Sequence, residues 1–326
     1  MKVNRLSIVI PCYNEADNIP LLFQKLVVAL SAIENTKGTR SEVILINDGS
    51  HDGTLTHLKK CAESDSRFRV IDLRKNYGQT AAMAAGFENS TGDVVIPMDA
   101  DLQNDPDDIA LLLDRVEEGF DVVSGWRRDR QDSWLTRKIP SRIANTLISL
   151  ISGVRLRDYG CTLKAYRKEI LRHVRLYGEM HRFIPIYASW VGARITEMPV
   201  RHHPRQFGKS KYGMIRTFKV LLDLLTIKFL GDYSTKPIYW FGGIGFLLMS
   251  VGLLCEVQVA YVKFGIGEKV YDNPMLIIGI FFMVIGFQAI LIGLIAELSI
   301  RTYHESQGKP IYWIKEIYPP PTVSIA

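Results

Sequence analysis

Up to about Asp232 this chain of 326 residues has no long apolar run, which excludes a membrane span from its larger part. Cysteine is scarce: Cys12, Cys61, Cys161 and Cys255 are widely separated and none belongs to a CxxC pair. That spacing argues against a structural zinc site and suggests a reducing compartment. No internal repeat and no low-complexity tract is present. The opening MKVNRLSIVIPCYNE lacks the layout of a signal peptide, because its apolar run is short and is followed directly by polar residues, so no cleaved leader is expected. Neither charge sign dominates: 40 Lys and Arg against 34 Asp and Glu leave a net charge of +6, scattered through the first part in the ordinary globular way.

Beyond Lys236 the composition changes. IYWFGGIGFLLMSVGLLCEVQVA (238–260) and MLIIGIFFMVIGFQAILIGLI (275–295) carry almost no charge, and each has the roughly 20 residues that a helix needs to cross about 30 Å of hydrocarbon. Glu256 and Gln258 lie near the far end of the first span, where a polar side chain reaches the interface. In the short connection Lys263 and Lys269 are balanced by Glu268 and Asp272, whereas Lys228, Lys236, Arg301, Lys309 and Lys315 flank the outer ends. The positive-inside bias therefore puts the connection outside and both termini in the cytoplasm.

In the first part, short β-branched runs alternate with helical patterns. LSIVIP (6–11), EVILIND (42–48), FRVIDL (68–73), DVVIPMD (93–99) and FDVVSGW (120–126) read as strands, several of them apolar on both faces as in a helix-covered parallel sheet. Residues 16–33, 54–62, 80–88 and 106–118 have apolar positions at helical spacing. This alternation predicts an α/β fold with an open sheet, whose ligands sit beyond the carboxyl ends of the strands. Two later stretches, 133–153 and 214–231, mix basic with apolar residues at helical spacing. The first reads equally as a surface helix or a membrane-surface helix; the second, directly before a span, reads as interfacial.

The expected strand ends carry the chemistry. In an extended DAD, Asp99 and Asp101 share one side, and two such carboxylates repel unless a cation joins them. Oxygen donors of this kind suit Mg²⁺ or Mn²⁺, with Gln103 adding a neutral oxygen or orienting a ligand. Asp105, Asp107 and Asp108 read instead as a helix start, with a capping acid, Pro106 in the first turn and acids at the positive helix end. Asp48 reads either as a turn former or as an acceptor for a base N–H, and Asn14 and Glu15 either open a helix or face the same crevice. Downstream, Arg205, Lys209 and Lys211 surround Gly208 and Ser210, a layout that serves either as a phosphate-closing loop or as a solvated face. Arg127 and Arg128 share that ambiguity.

PCYNE, NDGS, LRKNYGQ, MDADLQ and RQFGKSKY, in this order and followed by two apolar spans, resemble the polyprenyl-phosphate glycosyltransferases of inverting family 2, related to dolichol-phosphate mannose synthase. RDYGCTLKAYRK followed by FIPIYASWVGARITEMPV is most similar to the bacterial undecaprenyl-phosphate aminoarabinose transferases; the bactoprenol glucosyltransferases are more distant. The resemblance implies a GT-A (Rossmann-like) catalytic domain over 1–213, an interfacial region over 214–235, two transmembrane helices within 236–300 (about 238–260 and 275–297) and a cytoplasmic tail over 301–326. It implies that Pro11, Tyr13, Glu15 and Asp48 hold the nucleoside, and that Asp99, Asp101 and Gln103 surround Mg²⁺ or Mn²⁺ and the diphosphate. Arg205 and Lys211 would clamp phosphate, and Arg127 and Arg137 would approach the acceptor phosphate, with Asp101, Arg127 and Arg205 as the catalytic set.

The implied reaction is inverting transfer of one sugar, from a UDP-linked donor, to undecaprenyl phosphate at the cytoplasmic face of the inner membrane, making a lipid-linked sugar for envelope glycan or lipid A modification. The implied partners are the nucleotide sugar, the polyprenyl phosphate, the bilayer and further copies of the chain, and no nucleic acid. A processive polysaccharide synthase is disfavoured by the lack of a QxxRW motif; a non-catalytic nucleotide-sugar sensor is the alternative of another class. In one respect the chain departs from the family: several relatives have Gly-Asp where Gly160-Cys161 stands, and a base role does not carry over to Cys161. A phosphate monoester carries about −1.5 to −2 charge at pH 7 and is already a nucleophile.

Overall fold

The computed structural model describes residues 2–128, 145–146, 148–150, 152–172, 174, 176, 180–204, 238–266, 273–306 and 312–319. The chain divides into two units, Met1–Leu224 with Pro310–Ala326, and Leu225–Lys309.

In the first unit the described strands are β1 (Arg5–Cys12), β2 (Arg40–Asn47), β3 (Phe68–Leu73), β4 (Val94–Pro97), β5 (Val122–Arg127), β6 (Lys164–Arg167), β7 (Ile195–Val200) and β8 (Ile314–Tyr318). They form one sheet in the order β7-β5-β6-β4-β1-β2-β3-β8. β1 lies parallel to both β2 and β4, with Ile8 opposite Val43 and Ile96. Helices α1 (Ile19–Lys37), α2 (Thr54–Ser64), α3 (Gln79–Asn89) and α4 (Asp108–Glu117) connect the strands, and α5 (Lys168–Leu171) and α6 (Ile184–Trp190) come later.

The central strands are apolar on both faces because both are covered. Ile8, Ile10, Val43 and Leu45 join the cluster that buries Leu22, Leu26 and Leu30 of α1. The alternating residues Val9 and Ile46 meet α3 on the opposite face, so closely that a Cβ on Gly86 would stand 2.2 Å from a Val9 methyl. This is why α3, QTAAMAAGFEN, is rich in small residues and buried along most of its length.

The five strands expected from the sequence are found, with one shortening that matters. β4 ends at Pro97, so Asp99 and Asp101 lie in a turn, with Leu102 at φ +61°, and the period-two argument for their shared side does not apply. Sheet polarity also differs from an all-parallel expectation, because β6 inserts antiparallel between β4 and β5. Within 301–326, expected only as a tail, Ile314–Tyr318 pairs antiparallel with β3. Its neighbours fix it there: Tyr312 donates to Glu88, Lys59 pairs with Glu316 at 2.8 Å, and Lys315 reaches the buried Asp72 at 3.3 Å.

The second unit contains α7 (Ile238–Tyr261), a π-helical turn (Val262–Ile266) and α8 (Pro274–Ser306). Phe241–Gly265 and Pro274–Ala296 are long and apolar enough to cross a membrane. The helices close on each other through glycines seven residues apart: a Cβ on Gly245 would lie 2.5 Å from the Gly286 carbonyl oxygen, and one on Gly252 2.7 Å from that of Gly279. Small residues at such a seam let two backbones approach, which is how helices associate where lipid removes the hydrophobic drive. Phe246, Leu254 and Ile277 are exposed, as a lipid-facing surface requires.

The amphipathic stretch 214–231 and most of 133–153 lie outside the described residues.

Candidate active site

β4, β1 and β2 are consecutive in the sheet and parallel, so the loops after their carboxyl ends meet. The loop after β1 is stitched to the loop after β2. Asn14, at φ +51°, receives a hydrogen bond from the His51 amide at 2.9 Å, and its own N–H donates to Ser50 Oγ at 3.0 Å. The Glu15 amide donates to Thr54 Oγ1 at 2.8 Å, and the Glu15 carboxylate accepts from Asn18 Nδ2 at 2.6 Å. Pro11, the last residue but one of β1, and Tyr13, just beyond the strand, are both half-buried.

Asp48 is buried and holds a third loop. Its two carboxylate oxygens accept the Tyr77 amide at 2.7 Å and the Gly78 amide at 3.0 Å, and Asn76 Nδ2 donates to its carbonyl at 3.2 Å. Burial pushes the Asp48 carboxyl above its usual range, against the pull of those two amides. Gly49 is required here: at φ +64° a Cβ would lie 2.5 Å from the Asn76 nitrogen. Asp48 thus locks NYGQ against the β2 loop.

The next residue, Gln79, donates through Nε2 to Asp99 Oδ1 at 2.9 Å, while Thr162 Oγ1 donates to Asp99 Oδ2 at 2.7 Å. Asp101 is buried, and its Oδ1 accepts the Gln103 amide at 3.2 Å, closing the turn. The Gln103 side-chain nitrogen lies 3.4 Å from the His203 carbonyl oxygen, and the His203 amide donates to the Gln103 carbonyl at 2.9 Å. The structure therefore brings Asp99, Asp101 and Gln103 into one turn.

Among the described residues no group of three or more His, Cys, Asp or Glu forms a metal cage. The donor chemistry nevertheless fits a hard divalent cation: the hydrogen bonds to Asp99 come from neutral donors, each carboxylate oxygen has more than one lone pair, and such ions are commonly held by one or two carboxylates plus substrate phosphates.

The remaining acids do more than start a helix. Asp105 accepts the Asp107 amide at 3.1 Å, whereas Asp107, at the cap position itself, makes no side-chain cap. Asp108 is buried and bonded to Arg201 through both Nε, at 2.9 Å, and the backbone N–H, at 2.7 Å; Asp105 also reaches His203 Nε2 at 3.0 Å. The acids thus anchor the segment that leads into RQFGKSK.

Arg127 lies beside the site but is engaged. Its Nε and Nη2 donate to the two oxygens of Asp158 at 2.6 and 2.9 Å. Burial works against its charge, but Asp158, with a further contribution from Asp99, raises its already high pKa, so it is a permanent cation. The loop that follows Asp158 is held by buried Lys164, whose Nζ donates to the carbonyls of Tyr159, at 3.0 Å, and of Cys161. Burial lowers the Lys164 ammonium to about 8 and pushes the fully buried Cys161 thiol up to about 11. A thiol so placed is neither charged nor accessible as a base.

Arg137, Arg205 and Lys211 lie outside the described residues. Gln79, Thr162 and Asp158 had no role assigned from the sequence; the signal available was their membership of LRKNYGQ and RDYGCTLK.

Comparison with known proteins follows the same lines. The family described as Glycosyl transferase family 2 matches residues 7–175. The chain is 40% identical over 317 residues to dodecaprenyl-phosphate galacturonate synthase of Rhizobium johnstonii, covering 96% of this chain and 93% of that protein. It is 36% identical over 318 residues to undecaprenyl-phosphate 4-deoxy-4-formamido-L-arabinose transferase of Proteus mirabilis, covering 97% and 94%. Among solved structures, glucosyl-3-phosphoglycerate synthase of Mycobacterium tuberculosis with Mg²⁺ and UDP superposes with a TM-score of 0.53 at 18% identity, over 69% of this chain and 79% of that one. The same enzyme with Mn²⁺, UDP and phosphoglyceric acid gives 0.51 at 17% identity, over 69% and 78%. At such identities the likeness shows the fold, which is the GT-A type.

Proposed function

The chain belongs to glycosyl transferase family 2, and from that premise we propose that it transfers one sugar from a UDP-linked donor to undecaprenyl phosphate, with inversion, at the cytoplasmic face of the inner membrane. The observation that carries this reading is the near-full-length similarity to two transferases whose names differ in the sugar and agree in a polyprenyl phosphate. The paired apolar helices support a membrane site of action. The tail strand supports a common side for both termini: β8 belongs to the same sheet as β1, so the chain must return to the side it left, as two crossings require.

Pro11, Tyr13, Glu15 and Asp48 form the nucleoside end of the site. Asp99, Asp101 and the amide oxygen of Gln103 would hold Mg²⁺ or Mn²⁺, which when bound offsets the charge of the departing diphosphate. Arg205 and Lys211 clamp the same phosphates. Arg127 and Arg137 draw in the acceptor phosphate, Arg127 acting from within its pair with Asp158. The acceptor oxygen attacks the anomeric carbon in line with the leaving diphosphate. It needs no protein base, since at pH 7 it already carries about −1.5 to −2 charge.

The test is a panel of nucleotide sugars supplied with undecaprenyl phosphate, read by the mass of the lipid product. A single sugar on the lipid is expected. A polymer, or nucleotide binding without any lipid product, overturns the reading.

A further inference from the structure

The carboxylate of Asp99 is gripped on both oxygens by side chains that the reaction scheme above leaves without a task. Gln79 approaches one oxygen from the start of α3, and Thr162 approaches the other from the loop before β6. Several other carboxylates of this domain are matched with guanidinium groups, Asp65 with Arg67, Asp121 with Arg167, Asp158 with Arg127 and Asp108 with Arg201, whereas Asp48 accepts backbone amides. At Asp99 an amide and a hydroxyl take that place. Neutral donors orient a carboxylate without pairing its charge, and leave lone pairs on both oxygens.

Each donor is itself held. Gln79 directly follows Tyr77 and Gly78, whose amides Asp48 binds, so the grip at the nucleoside end sets where α3 begins. Thr162 follows Cys161, whose carbonyl accepts from buried Lys164, in a loop that Asp158 ties to Arg127 at its other end. Rotation of the Asp99 carboxylate is therefore blocked from two sides by parts of the chain that are fixed independently.

We propose that Gln79 and Thr162 are positioning residues for the reaction, setting the Asp99 carboxylate in the orientation that engages the divalent cation of a nucleoside-diphosphate complex. The inference rests on the assignment of Asp99 to the metal site. Hydrogen-bond partners of this kind typically govern metal affinity by about 10- to 100-fold.

The experiment uses the detergent-solubilised full chain as wild type and as Gln79→Leu, Thr162→Val and Thr162→Ser. Bound Mn²⁺ is titrated by electron paramagnetic resonance in the presence of UDP, and uridine binding is measured without metal. Gln79→Leu and Thr162→Val are expected to weaken Mn²⁺ binding about tenfold or more while uridine binding is unchanged, and Thr162→Ser, which keeps the hydroxyl, to restore it. Mn²⁺ affinities within about twofold of wild type in both variants would overturn the positioning role and leave the proposed reaction standing. Parallel loss of uridine binding would overturn it too, by marking a general collapse of the site. A wild-type protein that binds no Mn²⁺ with UDP would instead remove the metal assignment, and this inference with it.

Discussion

Replacing Asp158 with Ala should be among the most damaging single changes in the catalytic domain. Its side chain is 10% exposed and that of Arg127 14%, and the two share a bidentate pair. The same carboxylate also accepts the Gly160 amide at 3.0 Å. Removing one partner of a buried pair strands the other charge and costs roughly 3–5 kcal/mol, roughly a hundred- to a few-thousand-fold in the folding equilibrium. Urea titration followed by tryptophan fluorescence should report it, since Trp126 adjoins Arg127 and stacks on Arg157 at 4.9 Å. A loss below about 1 kcal/mol, the range of exposed pairs, would refute the reasoning by showing that Arg127 rehydrates freely. The double variant Arg127→Met, Asp158→Leu should recover much of the stability, because apolar replacement of a whole buried pair is often neutral or better. If that protein folds yet has a raised KM for undecaprenyl phosphate, the arginine serves the acceptor as well as the fold; an unchanged KM confines it to structure.

Asp101→Ala should abolish metal-stimulated transfer while the thermal unfolding midpoint stays near that of the parent; substantial remaining activity would sink the metal assignment. Burial pushes the Asp105 carboxyl up, but the His203 contact, the Asp107 amide and Arg201 together hold it below its usual 3.8, so the stability it contributes is present above that pH and lost as pH falls through the lowered value. His203→Phe should accordingly reduce the steepness of acid unfolding below about pH 4, measured by circular dichroism, and an unaltered acid limb would count against the contact. Cys161→Ala should retain transfer within a few-fold, because a buried thiol at about 11 is protonated at neutral pH; a loss of several orders of magnitude in kcat would restore a catalytic role to that position.

Much of the fold was legible without coordinates, for a local reason. LSIVIP, EVILI and FRVIDL are strands buried on both faces, and contiguous apolar residues announce such strands wherever the chain later places them. The two apolar helices were equally plain, since length and hydropathy need no partner. The order of PCYNE, NDGS, MDADLQ and RQFGKSKY also identified the family and located the carboxylates at the ends of β2 and β4. These features belong to segments of a few to about twenty residues.

What tertiary structure alone decided are the pairings across the chain. Ile314–Tyr318 is too short and too charged to declare itself a strand; only the open edge of β3 makes it one. Because β4 ends at Pro97, the irregular segment that follows, not strand alternation, sets Asp101 relative to Asp99. Thr162 meets Asp99 across 63 residues, and Asp158 meets Arg127 across 31. Such contacts depend on the path of the backbone between the two residues, which no local pattern encodes. Residue types at strand ends determined what chemistry was on offer; the fold decided which carboxylate is bonded to an arginine, as Asp158 is to Arg127, and which is bonded to an amide and a hydroxyl, as Asp99 is to Gln79 and Thr162.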